Sequence, residues 1–361
     1  MNQVVFFLGA VPPQTGGEFY NYNLYKYLCN EGFDVACISL HKKLIVRLSL
    51  IPLIGYLLTS IVLALRFYRY QGIFVEDHYF SQYLLLHNLV QRVFRGQKII
   101  ILVHSLEGYD TSDKFFLRRW INGFKHKLVL SVADIIVTNS EYSKDEIVSL
   151  GISHASIQIL LPGIDRKTLQ IVPQNQSKEG HQILCVANYL PIKGLTYLIE
   201  AFSLLNHKDF TLHLVGNPKK SSPAYYSQMQ NLVRKLNVNK DVFFHDGSDQ
   251  ENVYRLYSDA DIFVLPTLKE TFGIVLIEAM HYGLPIITTN VAAVPELIAD
   301  NENGLLVPPV NSLALAAAIS KLIDNPELRK KMGSMGKQRV ANSYYWEQTY
   351  SQFLSLVKSM N

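Results

Sequence analysis

The chain has 361 residues, which is too long for one ordinary α/β core and fits two domains of ordinary size. With 48% hydrophobic and 18% charged residues, its composition is that of a globular protein and excludes a disordered chain. The formal net charge of +4 is too small to indicate nucleic-acid binding, and no nucleic-acid partner is expected. The three scattered cysteines have no metal-ligand spacing and are expected to be buried, reduced thiols.

Short apolar runs alternate with longer, helical-looking segments along the whole chain. The predicted strands of the first half are Val4–Leu8, Val35–Ser39, Ile73–Val75, Ile99–Val103 and Ile135–Thr138. Those of the second half are Ile183–Val186, Thr211–Val215, Val242–Phe244, Ile262–Leu265 and Ile286–Thr288. Apolar strands that alternate with helices are typical of parallel sheets covered on both faces. We therefore predict two doubly wound Rossmann-like domains of the α/β class.

The boundary between the two predicted domains is expected near the polar, linker-like residues Ile171 to Gln182. This gives a first domain over residues 1–168 and a second over residues 169–342. A last amphipathic helix, over residues 343–361, is expected to pack back toward the first domain.

The beginning of the chain lacks the basic segment and the small-residue cleavage site of a signal peptide, which predicts a cytoplasmic protein. The apolar stretch Leu44 to Leu65 is interrupted by polar, proline and glycine residues, and is not expected to span a membrane. Lys114 to Leu128 carries five Lys/Arg and no acid among aromatic and aliphatic residues. This pattern fits a helix on an anionic membrane surface, and also an ordinary amphipathic helix with a basic solvated side.

Two glutamates, Glu270 and Glu278, lie eight residues apart in the stretch LKETFGIVLIEAMHYGLP. The first follows a predicted strand, and Thr271, Phe272 and Gly273 open a helix predicted from about Ile274 to Tyr282. Exposed amides at a helix start can bind an anion, and glycine lets a ligand approach the backbone. A carboxylate beside a phosphate would be repelled, so these acids are expected to bind hydroxyl groups. A nucleotide sugar has both a diphosphate and hydroxyls.

The segment around these glutamates resembles the retaining glycosyltransferases of family 4, which have the GT-B fold of two Rossmann-like domains facing a central cleft. The Glu-x7-Glu motif of that family is matched by Glu270 and Glu278. Further matches follow in order along nearly the whole chain: PPQTGGEF, VHSLEG, PGID, KGLTYLIEAF, VPELI and NGLLVPP. Their order and spacing, rather than any one motif, make the resemblance specific.

The resemblance implies a role for individual residues. Glu270 would contact the donor sugar, Glu278 the ribose hydroxyls and Lys193 the donor phosphates, while His104 would lie beside the donor sugar. The implied catalytic residues are thus Glu270, Lys193 and His104. The implied donor-binding residues are Gly16, Gly17, Asn188, Lys193, Thr271, Phe272, Gly273, Ile274 and Glu278. The family generally needs no metal, so neither metal nor cofactor is expected, and the Asp-x-Asp pattern at Asp259 and Asp261 is interpreted as structural.

Two positions depart from the family pattern. Asn188 stands where the family usually has an arginine five residues before Lys193, which removes a cation from the diphosphate site. Ala292 and Ala293 replace the usual glycine pair before VPELI.

The sequence therefore predicts transfer of a sugar, with retention, from a nucleotide-diphosphate sugar to a hydroxyl of a glycan or lipid-linked acceptor in cell-envelope polysaccharide synthesis. A basic, aromatic first half, with 13 Lys/Arg against 5 Asp/Glu between Lys42 and Lys127, favours an enzyme peripheral on the inner face of the plasma membrane. Two alternatives stay open. One is a soluble GT-B enzyme, glucan-synthase-like or a sugar-nucleotide epimerase, and the other is an inactive GT-B binding subunit.

Overall fold

The computed structural model describes residues 3–9, 11, 13, 15–40, 52–106, 116–166, 181–206 and 209–360, with backbone alone for 52–57 and 116–119. The chain divides into two compact units. Unit 1 consists of Met1–Pro162 and Glu347–Asn361, and unit 2 of Gly163–Trp346. The predicted boundary at 168/169 lies outside the described residues. The chain passes from unit 2 back into unit 1 between residues 346 and 347, four residues after the boundary that the sequence predicted between residues 342 and 343.

Within its described residues, unit 1 is built on a six-stranded parallel sheet with strand order β2-β1-β3-β4-β5-β6. Its strands are β1 Val4–Leu8, β2 Val35–Ser39, β3 Ile73–Asp77, β4 Lys98–Val103, β5 Ile135–Thr138 and β6 Ile157–Ile159. Its helices are α1 Gly16–Asn30, α2 Pro52–Phe67, α3 His78–Arg95, α4 Phe116–Leu130, α5 Glu141–Ser149 and α13 Trp346–Met360. The strand order, with its switch between β1 and β3, is that of a doubly wound sheet.

Helices cover both faces of this sheet. On one face, α2, α3, α4 and α5 contribute apolar side chains to a core with Val5 and Phe7 of β1. On the other face, Phe6 of β1 packs edge-on against Tyr25 of α1 and Phe353 of α13. Neighbouring strand residues point to opposite faces, and for this reason β1 is apolar at every position.

The last helix, α13, is anchored within unit 1. The Thr349 hydroxyl donates to the Leu161 carbonyl at 2.6 Å, and the ring of Tyr350 stacks on Tyr27 with centroids 4.3 Å apart. Phe353 is fully buried in the same contact region. The chain thus ends in the unit in which it begins.

Unit 2 repeats the architecture, with a six-stranded parallel sheet of order β12-β11-β10-β7-β8-β9 among its described residues. Its strands are β7 His181–Val186, β8 Phe210–Gly216, β9 Val242–Asp246, β10 Ile262–Leu265, β11 Ile286–Thr289 and β12 Gly304–Val307. Its helices are α6 Leu195–Ser203, α7 Pro223–Lys235, α8 Gln250–Asp259, α9 Ile274–His281, α10 Val294–Leu297, α11 Ser312–Ile323 and α12 Pro326–Ser343. The central strand β10 is buried at every position.

All ten predicted strands are present, within one or two residues at each end. The sequence prediction missed β6 and β12, which lie at the edges of the two sheets. The three residues of β6 are too few for a pattern, and β12 begins with a glycine. Two cysteines also differ from expectation, because Cys29, in the last turn of α1, and Cys37, on the edge strand β2, are exposed.

Within the ranges that the structure describes, no helix combines the length and the apolar character that crossing a bilayer requires.

Candidate active site

The candidate donor site of unit 2 is built from the loops that follow two adjacent parallel strands, β7 and β10. The Leu268 amide donates to the Ile192 carbonyl at 2.8 Å, and the Thr267 hydroxyl donates to the same carbonyl at 3.3 Å. These bonds hold the loop before α6 against the loop before α9. Ligands of open α/β sheets bind at this edge, beyond the carboxyl ends of the strands.

Gly194 makes the close approach of the two loops possible. It adopts the left-handed conformation, with φ at +65°, and ends the short turn Pro191–Lys193. A Cβ atom at this position would lie 2.1 Å from the Pro266 carbonyl oxygen, which belongs to the other loop. Only glycine fits here, and it fixes the direction in which Lys193 leaves the backbone.

Lys193 and Glu270 form an ion pair across the two loops. The Lys193 Nζ atom lies 2.7 Å from Glu270 Oε2, and the two side chains are 24% and 14% exposed. The pair is thus mostly, but not completely, shielded from bulk water. The structure brings together the lysine and the first acid of the Glu-x7-Glu motif, which stand 77 residues apart in the chain.

The start of α9 lies directly after Glu270. Its N-cap residue is Gly273, with φ at +94°, which has no side chain that could accept from the first amides of the helix. A Cβ atom here would lie 3.3 Å from Glu270 Cγ. Phe272 is buried with its ring near Tyr344, and so anchors the turn. The backbone amides that begin at Ile274 therefore form a positive helix end beside the ion pair.

Glu278 lies one turn deeper along α9, where only part of its side chain is exposed. Its Oε2 atom accepts a hydrogen bond of 3.0 Å from the Tyr257 hydroxyl of α8. Burial raises the pKa of Glu278 to about 7, although the Tyr257 hydrogen bond acts in the opposite direction. The Tyr257 ring stacks in turn on Tyr282, with centroids 5.4 Å apart. Both tyrosines were missed by the sequence analysis.

Asn188, which replaces the usual arginine of the family, contacts the loop that follows β8. Its side-chain oxygen accepts from the Asn217 amide at 3.3 Å, and the neighbouring Tyr189 amide donates to Ser221 Oγ at 2.8 Å. This loop carries two adjacent lysines, Lys219 and Lys220. Two cationic side chains therefore lie on a loop that is hydrogen-bonded to Asn188, the residue that replaces the arginine of the family.

The alanine pair that replaces two glycines also borders the site. Ala292 adopts φ at +47°, a left-handed conformation that costs a residue with a Cβ atom about 1–2 kcal/mol. The Ala293 amide donates to the main-chain carbonyl of Glu270 at 3.1 Å. The strained turn thus holds the backbone of the first acid in place.

In unit 1, Gly16 and Gly17 form the first turn of α1. Thr15 caps this helix in a capping box, with its hydroxyl accepting from the Glu18 amide at 3.3 Å. A Cβ atom on Gly17 would lie 2.7 Å from Cδ2 of His104, whereas one on Gly16 would meet no described atom within 4 Å. Position 17 therefore has no room for a side chain beside the His104 imidazole. Position 16 has room, and its glycine leaves the backbone uncovered by a side chain.

A hydrogen-bond relay fixes the protonation of His104, which directly follows β4. The Asn21 amide nitrogen donates to Asp77 Oδ2 at 2.7 Å, so its oxygen must face His104 Nε2, 2.9 Å away. An amide oxygen only accepts, so Nε2 carries the proton. Burial lowers the pKa of His104, although the charge of Asp77 opposes this shift. The ring is therefore neutral near pH 7, and its Nδ1 is the basic nitrogen.

A cavity of about 380 Å³ adjoins this relay within unit 1. Its lining combines Asp77 and His104 with three residues that the sequence analysis did not select, His78, Lys125 and His126. His78 Nε2 lies 2.8 Å from His126 Nδ1, and His78 Nδ1 has no hydrogen-bond partner among the described residues. Burial lowers the pKa of His78 to about 3, so this imidazole is neutral.

Comparison with known proteins identifies the family. Residues 167–339 match the family model described as Glycosyl transferases group 1, and residues 14–168 match that of Glycosyltransferase Family 4. The chain belongs to the group 1, family 4 glycosyltransferases. Together the two matched regions cover most of both units, and the two six-stranded parallel sheets flanked by helices confirm the predicted GT-B architecture of two Rossmann-like domains.

Individual relatives are distant. The chain is 24% identical, over 67% of its length, to the MMP alpha-(1->4)-mannosyltransferase of Mycolicibacterium hassiacum, and spans 58% of that relative. It is 27% identical, over 66% of its length, to the capsular polysaccharide biosynthesis glycosyltransferase CapM of Staphylococcus aureus, and spans 68% of it. The crystal structure of Anabaena HepE in complex with UDP-glucose matches with a TM-score of 0.79 at 18% identity, covering 99% of this chain and 100% of HepE.

Proposed function

We propose that the protein is a retaining glycosyltransferase that moves a sugar from a nucleotide-diphosphate sugar to a hydroxyl of a glycan or lipid-linked acceptor. The observation that carries the proposal is the 2.7 Å pair of Lys193 and Glu270 beside the uncapped start of α9. A cation and helix amides suit a diphosphate, and a carboxylate suits sugar hydroxyls. One nucleotide sugar needs both kinds of group next to each other.

The donor replaces one ion pair with two sets of contacts. Without donor, the Lys193 ammonium and the Glu270 carboxylate neutralise each other. On binding, Lys193 and the backbone amides of Gly273 and Ile274, at the start of α9, contact the diphosphate, while Glu270 accepts from sugar hydroxyls. Glu278 accepts from the ribose hydroxyls, and Gly16 and Gly17 allow the diphosphate to approach their amides.

Catalysis in this proposal rests on stabilising the leaving diphosphate and on positioning, without metal or cofactor. Glu270 and Glu278 stand on one helix start, which is unlike the two carboxyl groups that flank the bond in a glycosidase. The acceptor hydroxyl attacks the anomeric carbon from the face that the diphosphate leaves, and the leaving phosphate takes its proton. His104 would contact the donor sugar through its basic Nδ1.

Unit 1 is proposed to bind the acceptor, in the cavity beside His104. Its lining of imidazoles, carboxylates and one lysine offers donors and acceptors for hydroxyl groups. His78 Nδ1, buried and without a described partner, is a group that a bound ligand would satisfy.

The cellular role is proposed as cell-envelope polysaccharide synthesis, in lipopolysaccharide, capsule or exopolysaccharide. The capsular role in the name of the relative CapM supports this proposal. We propose a location in the cytoplasm, peripheral on the inner face of the plasma membrane, with Lys114–Leu128 on anionic lipid. The second candidate is a soluble GT-B enzyme, glucan-synthase-like or an epimerase. Failure of the protein to bind anionic vesicles would favour this candidate.

Donor affinity should rise with pH through the titration of Glu278. Its pKa of about 7 means that the carboxylate which accepts from ribose hydroxyls forms only near neutrality. From pH 6 to pH 8 the ionised fraction rises from roughly a tenth to roughly nine-tenths, so donor affinity should rise by up to about tenfold. In Glu278→Gln this rise should disappear, as measured by calorimetric titration at both pH values.

The same pKa predicts the pH dependence of stability without donor. Because the folded pKa lies above the unfolded value of 4.5, the unfolded chain loses its proton first. The contribution of Glu278 to the free energy of unfolding is therefore complete below pH 4.5 and is lost as the pH rises to about 7. Thermal melts of wild type that do not differ from those of Glu278→Gln over this range would contradict the raised pKa.

Gly16→Ala tests whether donor affinity changes without a loss of protein stability. Its added methyl meets no described atom within 4 Å, and alanine favours a helix, so thermal stability should be equal or higher. Donor affinity should nevertheless fall several-fold if the diphosphate approaches this backbone. Gly17→Ala should lower both stability and affinity, because its methyl would displace His104. Unchanged donor affinity in Gly16→Ala would refute the contact.

Lys219 is proposed to supply the cation that Asn188 lacks. Its loop is bonded to Asn188, and a charge-assisted contact to phosphate contributes roughly 1.5–3 kcal/mol. Lys219→Ala should then weaken donor binding by about tenfold or more. Lys240→Ala, on an exposed turn between α7 and β9, removes the same charge elsewhere in unit 2 and should have no effect. Equal affinities of the two variants would rule out this role.

A further inference from the structure

Three helices of unit 1, α2, α3 and α4, expose large apolar side chains. These helices follow one another on the same face of the sheet, and the Leu86 amide of α3 donates to Ser60 Oγ of α2 at 3.1 Å. The exposed apolar residues are Leu58, Ile61, Val62 and Leu65 of α2, Leu89, Val93 and Phe94 of α3, and Trp120, Ile121, Phe124 and Leu128 of α4. We call this set the apolar surface.

The residues of the apolar surface are not the ones that pack these helices against the sheet. Leu63 and Phe67 of α2, Leu84 of α3 and Leu130 of α4 already pack into the sheet core from the same helices. A surface helix of a globular protein normally has one apolar side and one polar side. Here the outward side is apolar too, at helical spacing, and Leu65 and Phe94 are 75% and 79% exposed. Exposed apolar patches of this extent mark interaction sites.

The charges of these helices have one sign. α2 carries one Lys/Arg, α3 two and α4 four, and none of the three contains Asp or Glu. Globular protein surfaces usually intersperse both signs. The partner of this surface must therefore accept apolar side chains and supply negative charge.

We propose that the apolar surface of α2, α3 and α4 binds the face of an anionic lipid bilayer. Lipid supplies acyl chains for Leu65, Phe94 and Trp120 and anionic headgroups for Lys/Arg of the same helices. A second copy of this chain would instead bring together two sets of helices that contain Lys and Arg but no Asp or Glu, which like-charge repulsion opposes. The proposal goes beyond Lys114–Leu128, because two more helices share the lipid contact.

The position of α4 connects this surface with the cavity of unit 1. The helix exposes Trp120 and Phe124, whose rings stack with centroids 6.2 Å apart, while Lys125 and His126 line the cavity. Lipid binding and the cavity thus share one helix. Resting on the proposed function, this arrangement selects a lipid-linked acceptor over a soluble glycan, since membrane binding would bring the cavity to the bilayer surface.

Vesicle flotation tests the proposal with the full chain. Wild type should float with vesicles of phosphatidylglycerol and phosphatidylcholine, weakly with phosphatidylcholine alone, and less at high salt. The double variant Trp120→Glu/Phe124→Glu should reduce flotation at least tenfold. The matched control Leu204→Glu/Leu313→Glu places two acids at exposed apolar positions of unit 2 and should float as wild type does. All variants replace exposed side chains and are checked by thermal unfolding.

Three results would contradict the proposal that the apolar surface binds lipid. The first is no flotation of wild type, and the second is equal flotation of the two double variants. The third is a wild-type dimer, detected by sedimentation, that Trp120→Glu/Phe124→Glu dissociates. A nucleotide-sugar thermal shift in the same samples reports separately on the proposed function. A retained donor shift without flotation rejects the surface alone, whereas flotation without any donor shift rejects the glycosyltransferase proposal alone.

Discussion

Lys193→Ala is expected to lower the turnover of the nucleotide sugar by tenfold or more while the protein stays folded. In the proposal this ammonium contacts the departing diphosphate directly, and it lies 2.7 Å from Glu270 in the absence of donor. A charge-assisted contact contributes roughly 1.5–3 kcal/mol, which corresponds to about a 10–150-fold change in rate. Release of nucleoside diphosphate from the donor measures the effect.

Glu270→Ala should lower turnover to a similar degree, because the sugar loses the carboxylate that holds its hydroxyls. The control is Lys235→Ala, which removes an exposed lysine at the end of α7 in the same unit. It should turn over donor at the wild-type rate. Wild-type turnover in both Lys193→Ala and Glu270→Ala would end the assignment of this site.

Gly194→Ala is expected to produce the largest loss of stability among substitutions at the site. Its methyl would lie 2.1 Å from the Pro266 carbonyl oxygen, and the backbone there is left-handed. Neither backbone segment can yield without breaking the hydrogen bonds between the loops after β7 and β10, such as that from Leu268 to Ile192. We expect a loss of about 3 kcal/mol or more in the free energy of unfolding, with turnover falling as well.

Gly283→Ala is the matched control for this loss. Gly283 also belongs to unit 2 and has a left-handed backbone, with φ at +77°, but its added methyl would meet its nearest neighbour at 3.9 Å. The free energy of unfolding of Gly283→Ala should fall only by the conformational cost of the left-handed backbone, about 1–2 kcal/mol, as measured by denaturant unfolding. Equal losses in the two variants would show that the contact between the loops does not hold the site together.

The fold could be predicted largely because its strands are buried on both faces. Strands such as β1 and β10 are apolar at every position, and helices separate them, a pattern that few architectures share. The sequence likewise predicted Glu270 just after a strand, and the resemblance to the family selected Lys193. Neighbouring strands then bring them together.

The rest of the site depends on contacts that no local pattern encodes. Tyr257 reaches Glu278 from another helix, and Asn21 joins His104 to Asp77 across 83 and 56 residues of chain. The pairing of His78 with His126 also requires the sheet order and the helix positions. No sequence spacing links these side chains, so only the partner in space indicates a function for each of them.

The most direct test of the central claim is a thermal-shift screen of the wild-type protein and Lys193→Ala with UDP-, GDP- and ADP-sugars. A ligand at 100 times its dissociation constant stabilises the folded protein by about 2.7 kcal/mol. The account predicts that sugars of at least one nucleotide raise the melting temperature of the wild type, and that the shift shrinks in Lys193→Ala. A wild type that responds to none of them, or an equal shift in both proteins, would contradict it.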